Sequence, residues 1–308
     1  MFKFYSIIAF IFFLFLGVYF VLNEKDISLE EAKEVLANNE SEFVSIDGMD
    51  VHYRREGNGF PIVLVHGTSA ILQTWNGWTE ELVKNGYEVI RVDLPAFGLT
   101  GAHPEHNYTI PYYVSFMESF TNALGVDSFH LAGNSLGGLI AWEYAVDHQQ
   151  KLGKLILVDP AGIKGEKDKK NIFDKIQQYN FITKPLKNLA TGYLVNKGME
   201  QSYYNDEKIT HEKFQYYKTA TLREGNRTAF LERMKVEDEP RVDLLGTIET
   251  PTLILWGDHD ELIPVLYANV FDIAIPNSAL VVYPYVGHIP MEEIPEISVK
   301  DVLTFLKE

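Results

Sequence analysis

Phe129-His130-Leu131-Ala132-Gly133-Asn134-Ser135-Leu136-Gly137-Gly138 is the stretch whose reading decides the fold. A β-rich run over residues 128–132 passes through Gly-x-Ser-x-Gly into Leu139-Ile140-Ala141-Trp142, which has helical character, so Ser135 falls in a tight strand-to-helix turn. Such a turn crowds the positions two before and two after the serine until neither tolerates a side chain, and Gly133 and Gly137 meet that demand. The turn would lift the Ser135 hydroxyl above the strand ends. The helix that follows would aim its free N–H groups and its positive end at negative charge developing there. A glycine-rich turn without chemistry carries the same letters; its position between a strand and a helix is what favours a nucleophile.

Strand-like runs are expected on both sides of this turn, at residues 43–46, 51–55, 61–65, 87–92, 154–158, 252–256 and 280–283. Segments of helical character separate most of the later ones, among them a stripe of Val299, Val302, Leu303 and Leu306 at helical spacing. Ile62-Val63-Leu64-Val65 and Leu155-Ile156-Leu157-Val158 are apolar without alternation, as parallel strands covered on both faces are. The pattern predicts a mostly parallel, doubly wound α/β sheet of eight strands, with a core made of residues 43–162 and 246–308. The segment between, 163–245, is helical in composition, rich in aromatics and too long for a crossover, and is expected to be an inserted cap. It carries 16 basic and 13 acidic residues between positions 164 and 243, a net +3 inside a chain of net −16. That suits a solvated surface of mixed charge, or, more sharply, a basic face turned to anionic headgroups or an anionic substrate.

Three further motifs, taken with the serine turn, make residues 43–307 resemble the α/β-hydrolase family. A strand runs into His66-Gly67-Thr68; Asp93-Leu94-Pro95-Ala96-Phe97-Gly98-Leu99-Thr100 is similar to the family's loop after the fourth strand, with Ala96 and Thr100 in place of the commoner Gly and Ser; and Val286-Gly287-His288-Ile289-Pro290, followed by Glu292-Glu293-Ile294-Pro295, resembles its histidine loop. The resemblance implies a nucleophilic Ser135, with the N–H groups of Thr68 and Leu136 as the oxyanion hole and His288 as the base. His66 would brace its loop, and Asp93 and Gly98 would be structural. For the acid that orients the base, Gly-x-x-Asp-x-x-x-Pro in Trp256-Gly257-Asp258-His259-Asp260-Glu261-Leu262-Ile263-Pro264 selects Asp260, with Asp159 as runner-up after the sixth strand. The same carboxylates could be read as a metal site, but clustered acids in a loop are more often solvated, and the chemistry needs no cofactor.

A serine at position 135 implies acyl chemistry. The leading expectation is a carboxylesterase or small lipase taking an apolar ester, with Tyr179, Phe181, Tyr193, Tyr203, Tyr204, Phe214, Tyr216, Tyr217 and Phe230 of the cap as candidate wall residues. The elbow sequence also resembles that of carbon–carbon bond hydrolases, and a non-catalytic binding protein on the same fold is the third reading.

Composition excludes other classes. A chain of 308 residues, 46% hydrophobic, can bury one large core, and the charge of −16 argues against a nucleic-acid partner, because phosphate binding needs clustered Lys and Arg. With no cysteine there is no disulfide, thiolate metal site or thiol nucleophile. Residues 4–22 are uncharged and rich in Phe, Ile and Leu, which as a helix would span roughly 28 Å. The expectation is a membrane anchor over residues 1–25 with the catalytic body outside the cytoplasm, or a cleaved secretory signal, joined to the core by an acidic linker helix over residues 26–42.

Overall fold

The strands form where the apolar runs were expected, and they are joined in one sheet: β1 (Ser41–Ile46), β2 (Met49–Glu56), β3 (Phe60–Val65), β4 (Tyr87–Val92), β5 (Phe129–Asn134), β6 (Leu152–Val158), β7 (Thr252–Gly257) and β8 (Ser278–Tyr283). The structure is a computed structural model that describes residues 23–163, 165, 188 and 191–308. The strand order is β1-β2-β4-β3-β5-β6-β7-β8. β2 is antiparallel to both of its neighbours and the other pairs are parallel.

Helices cover both faces, which is why β3 and β6 show no polar alternation. Ile62 and Leu64 point to one side, where they share a cluster with Trp78 and Leu82 of α2 (Asn76–Lys84) and with the predicted stripe of α10 (Pro295–Lys307). Val299, Val302, Leu303 and Leu306 of that stripe are all buried, and Trp78 Nε1 donates to Ser298 Oγ at 2.8 Å. Val63 and Val65 point to the other side, against Phe116 and Phe120 of α3 (Ile110–Ala123), Ile140 and Trp142 of α4 (Leu136–His148) and Phe271 of α8 (Leu266–Ala274).

Between β6 and β7 the described residues are helical: α5 (Thr191–Ser202), α6 (His211–Leu222), α7 (Asn226–Arg233) and a 3-10 turn over Val242–Thr247. Several cations of this segment are turned onto acids of the body. Arg227 pairs with Asp26, Lys218 with Glu24, and Arg241 with Glu143 and Asp147. Part of the positive charge of this segment is therefore taken up by Glu24 and Asp26 and by acids of α4.

The expected linker helix is shorter and better anchored than its sequence suggested. α1 (Leu29–Leu36) opens on a capping box between Ser28 and Glu31 and buries Ala32 and Leu36 against Ile71, Leu99 and Ala220. Its C-terminal carbonyl, Leu36 O, accepts from Arg54 and from Gln73. The segment is a brace between core and cap.

The membrane expectation is corrected. The apolar run at 4–22 lies outside the described residues, and no described helix is long and apolar enough to cross a membrane. α3, one of the longest, has 14 residues and rises only about 21 Å, short of the roughly 30 Å of a bilayer core. The anchored, extracytoplasmic placement and the signal anchor that went with it are withdrawn.

Candidate active site

Ser135 stands between the last residue of β5 and the first of α4, at φ 54° and ψ −116°. Positive φ is rare for a residue with a side chain and is held here by its surroundings. Ser135 N–H donates to Val158 O at 3.1 Å, and its carbonyl accepts from Leu139 and Ala161. The two glycines are required for the reason the sequence suggested. A Cβ on Gly133 would lie 2.1 Å from Gly137 O, and one on Gly137 would lie 2.2 Å from Val65 O.

The loop after β3 runs alongside. A Cβ on Gly67 would fall 2.9 Å from Ser135 Cβ. Among the described residues, neither the Thr68 N–H nor the Leu136 N–H has an acceptor, so two donors stand free beside the serine. His66 does brace this loop: it is fully buried, its Nδ1 donates to Gly67 O at 2.8 Å and its Nε2 accepts from Leu94 N–H at 3.0 Å. Burial pushes His66 below the ordinary imidazole range, against the pull of Asp93. Asp93 is buried too. Burial alone would raise its carboxyl, but the His52 and His66 rings and the Leu72 N–H bring it down to about 2. A Cβ on Gly98 would meet Asp93 Cγ at 2.2 Å, so both residues are structural.

His288 and Asp260 are brought into direct contact. His288 Nδ1 lies 2.6 Å from Asp260 Oδ2, and the Leu262 and Ile263 N–H groups donate to Asp260 Oδ1 at 2.8 Å each. A carboxylate only accepts, so the ring proton is on Nδ1 and Nε2 keeps its lone pair. No hydrogen bond joins the Ser135 hydroxyl to this ring among the described residues; such bonds are often long in a free enzyme and tighten on substrate. Asp159 is also present, 0% exposed, with its Oδ1 accepting from Gly257 N–H at 2.9 Å. Burial first, then the neighbouring Asp260 carboxylate, hold Asp159 well above the usual carboxylate range. Asp159, Asp260 and His288 are the one group among the described residues close enough to hold a metal ion, and within it His288 Nδ1 and Asp260 Oδ2 are joined to each other.

Two features escaped the sequence reading. Asn134 Nδ2 donates to Val158 O at 3.1 Å and to His288 O at 3.0 Å, so the residue beside the serine holds the histidine's backbone. Glu292 and Glu293, in α9 (Pro290–Glu293), clamp the cap onto the histidine loop. Glu292 accepts from Thr74, Tyr203 and Tyr217, and Glu293 accepts from the N–H groups of Gly287, Tyr204 and Asn205. The only signal was the acidic pair itself after Gly-His. Of the expected wall residues, Tyr203 and Tyr217 are engaged in this clamp, Phe214, Tyr216 and Phe230 are half-buried against the core clusters, and Tyr193 and Tyr204 are exposed. Tyr179 and Phe181 lie outside the described residues.

The family model for the alpha/beta hydrolase fold matches residues 61–295. The chain belongs to the α/β-hydrolase fold family. This hydrolase is similar to the 2-hydroxy-6-oxo-6-(2'-aminophenyl)hexa-2,4-dienoic acid hydrolase of Metapseudomonas resinovorans, with 26% identity over 292 residues that cover 90% of this chain and 96% of that protein. It is 26% identical to Lipase 3 of a Moraxella species over 293 residues, 92% of this chain and 88% of the lipase. Among solved structures, the crystal structure of a membrane phospholipase A, described as a bacterial virulence factor, superposes with a TM-score of 0.75 at 25% identity and covers 100% of this chain and 98% of that one. A serine hydrolase is therefore shown, and the reading as a non-catalytic binding protein is not retained.

Proposed function

We propose that this hydrolase is a carboxylesterase or small lipase that cleaves apolar carboxylic esters through an acyl-enzyme on Ser135. The observation that carries the reading is Ser135 itself, held at positive φ where β5 meets α4, with the Leu136 N–H at the start of the helix lacking an acceptor among the described residues. In the proposed mechanism Ser135 Oγ attacks the ester carbonyl while His288 Nε2 takes its proton. Asp260 holds the ring and stabilises the imidazolium, and the Thr68 and Leu136 N–H groups bind the oxyanion. Collapse of the tetrahedral adduct expels the alcohol, which receives the proton from His288. Water, activated by the same ring, then releases the acid and frees Ser135.

The Metapseudomonas relative favours a second reading, hydrolysis of a carbon–carbon bond in a vinylogous diketone with the same three residues. A panel of short- and medium-chain p-nitrophenyl esters beside a 2-hydroxy-6-oxohexadienoate separates the two. Turnover of the esters that disappears in Ser135→Ala supports the first reading. Turnover of the dienoate alone moves the assignment to the second, and ester hydrolysis that survives Ser135→Ala removes Ser135 from the mechanism.

A further inference from the structure

Asp159 follows β6 at φ 44°, another positive value for a residue with a side chain. Its Oδ1 is satisfied by Gly257 N–H, but its Oδ2 is buried and has no hydrogen-bond partner among the described residues. Ligand atoms of Asp159, Asp260 and His288 all lie within 4.8 Å of one another. The groups facing Asp159 are Asp260 from the loop after β7, His288, Glu293 of α9 and Tyr283 at the end of β8; among the described residues no Lys or Arg forms an ion pair with it. Burial and the neighbouring carboxylate both penalise a charge on Asp159, which favours a proton here. The donors decide where it sits. Asp260 has two N–H groups and the His288 ring, which favour its ionised form, whereas Asp159 has one N–H and an orphaned oxygen that only an added proton would turn into a donor.

Resting on the assignment of Ser135, His288 and Asp260 as the reacting set, we propose that Asp159 is a positioning residue, a neutral carboxylic acid whose O–H donates to Asp260. The bond fixes the Asp260 carboxylate against His288 and draws off part of its charge. Asp260 then holds the imidazolium less tightly, and His288 stays a free base to lower pH. Burial and the adjacent carboxylate, which hold Asp159 far above the ordinary range, act in the same direction.

The test compares the full chain with Asp159→Asn and Asp159→Leu, reading kcat/KM on an ester against pH and, separately, the titration of the His288 ring by NMR, which needs no turnover. Asparagine keeps a neutral donor, so the acid limb is expected to stay within about 0.3 pH unit of the parent. Leucine removes the donor, and the limb is expected to move to higher pH by up to roughly one unit, the span of one neutral hydrogen bond to a carboxylate. An ionised Asp159 would give the opposite sign, since both variants would then remove a negative charge near the ring and move its titration to lower pH. That result, or a leucine variant whose titration stays in place, overturns the proposal. Should the leucine variant not fold, asparagine alone still separates the neutral from the ionised acid. Absence of ester turnover with the expected ring titrations would sink the esterase reading and leave the role of Asp159 standing.

Discussion

Gly137→Ala is the substitution that most directly tests whether the turn at Ser135 is held by contact. The new Cβ would stand 2.2 Å from Val65 O and 2.6 Å from His66 O, and neither atom can move away easily. Val65 is paired with both Val92 and Gly133 in the middle of the sheet, and both His66 ring nitrogens are engaged. The start of α4 must give way instead, by roughly 1 Å to reach ordinary van der Waals separation. Overpacking of this kind costs about 1–3 kcal/mol of stability. The displaced groups are Ser135 Oγ and Leu136 N–H, and a misplacement of about 1 Å lowers kcat on the order of 100-fold. Urea unfolding and p-nitrophenyl ester hydrolysis read the two effects. Gly198→Ala in α5 is the control, because its Cβ meets nothing within 4 Å and alanine is the better helix former there by about 0.5–1 kcal/mol. If Gly137→Ala kept activity within about threefold and stability within about 0.5 kcal/mol of the parent, the crowding argument for the turn would be wrong.

Three other outcomes follow from named groups. Asn134→Ala removes the donor to Val158 O and His288 O and is expected to cost about 1–3 kcal/mol and to lower kcat more than it raises KM; an unchanged kcat would show that the His288 backbone is held by other contacts. Glu292→Leu strands the Thr74, Tyr203 and Tyr217 hydroxyls in or near the interior and removes the carboxylate beside Lys213, with an expected loss of about 3 kcal/mol or more, while Glu292→Gln retains part of the network; calorimetric midpoints that do not separate the two variants would refute this ranking. His130, packed against Phe60 and Tyr87, is pushed by burial and then Lys154 from 6.5 to about 4, so its neutral form is the folded one. Its contribution to stability is complete above pH 6.5 and is lost as pH falls through about 4, by about 1–3 kcal/mol after allowance for its partial exposure; urea midpoints for His130→Leu should lack that part of the pH slope.

What the chain reveals by itself is what is local in it. The continuous apolar runs specify β3 and β6 because both faces of those strands are covered, and Gly133, Ser135 and Gly137 specify the turn because the crowding arises within five residues. The amphipathic pattern of α1 shows that one face must be buried, but not that the covering residues are Ile71, Leu99 and Ala220, so the sequence alone supports no more than a linker helix there. The same limit hid the second set of contacts around His288. Asn134 and His288 are 154 positions apart and Thr74 and Glu292 are 218 apart, and nothing in either local sequence names the other partner. Asp159 was visible as an alternative acid, yet the burial and the neighbouring Asp260 carboxylate that raise its carboxyl come together only in the fold.

The helical segment between β6 and β7 and the loop that carries His288 are mechanically joined. His288 N–H donates to Ser202 O at 2.8 Å, at the C-terminal end of α5, and a Cβ on Gly287 would lie 2.4 Å from that same oxygen. Glu293 spans the junction, accepting from Gly287 on the core side and from Tyr204 and Asn205 on the cap side, while Lys208 donates to its carbonyl. Lifting residues 202–205 would break these bonds together and leave the Asn134 side chain to hold the His288 backbone. Substitutions that shift the backbone of Ser202, Tyr204 or Asn205 are therefore expected to disturb the loop that carries His288 as well.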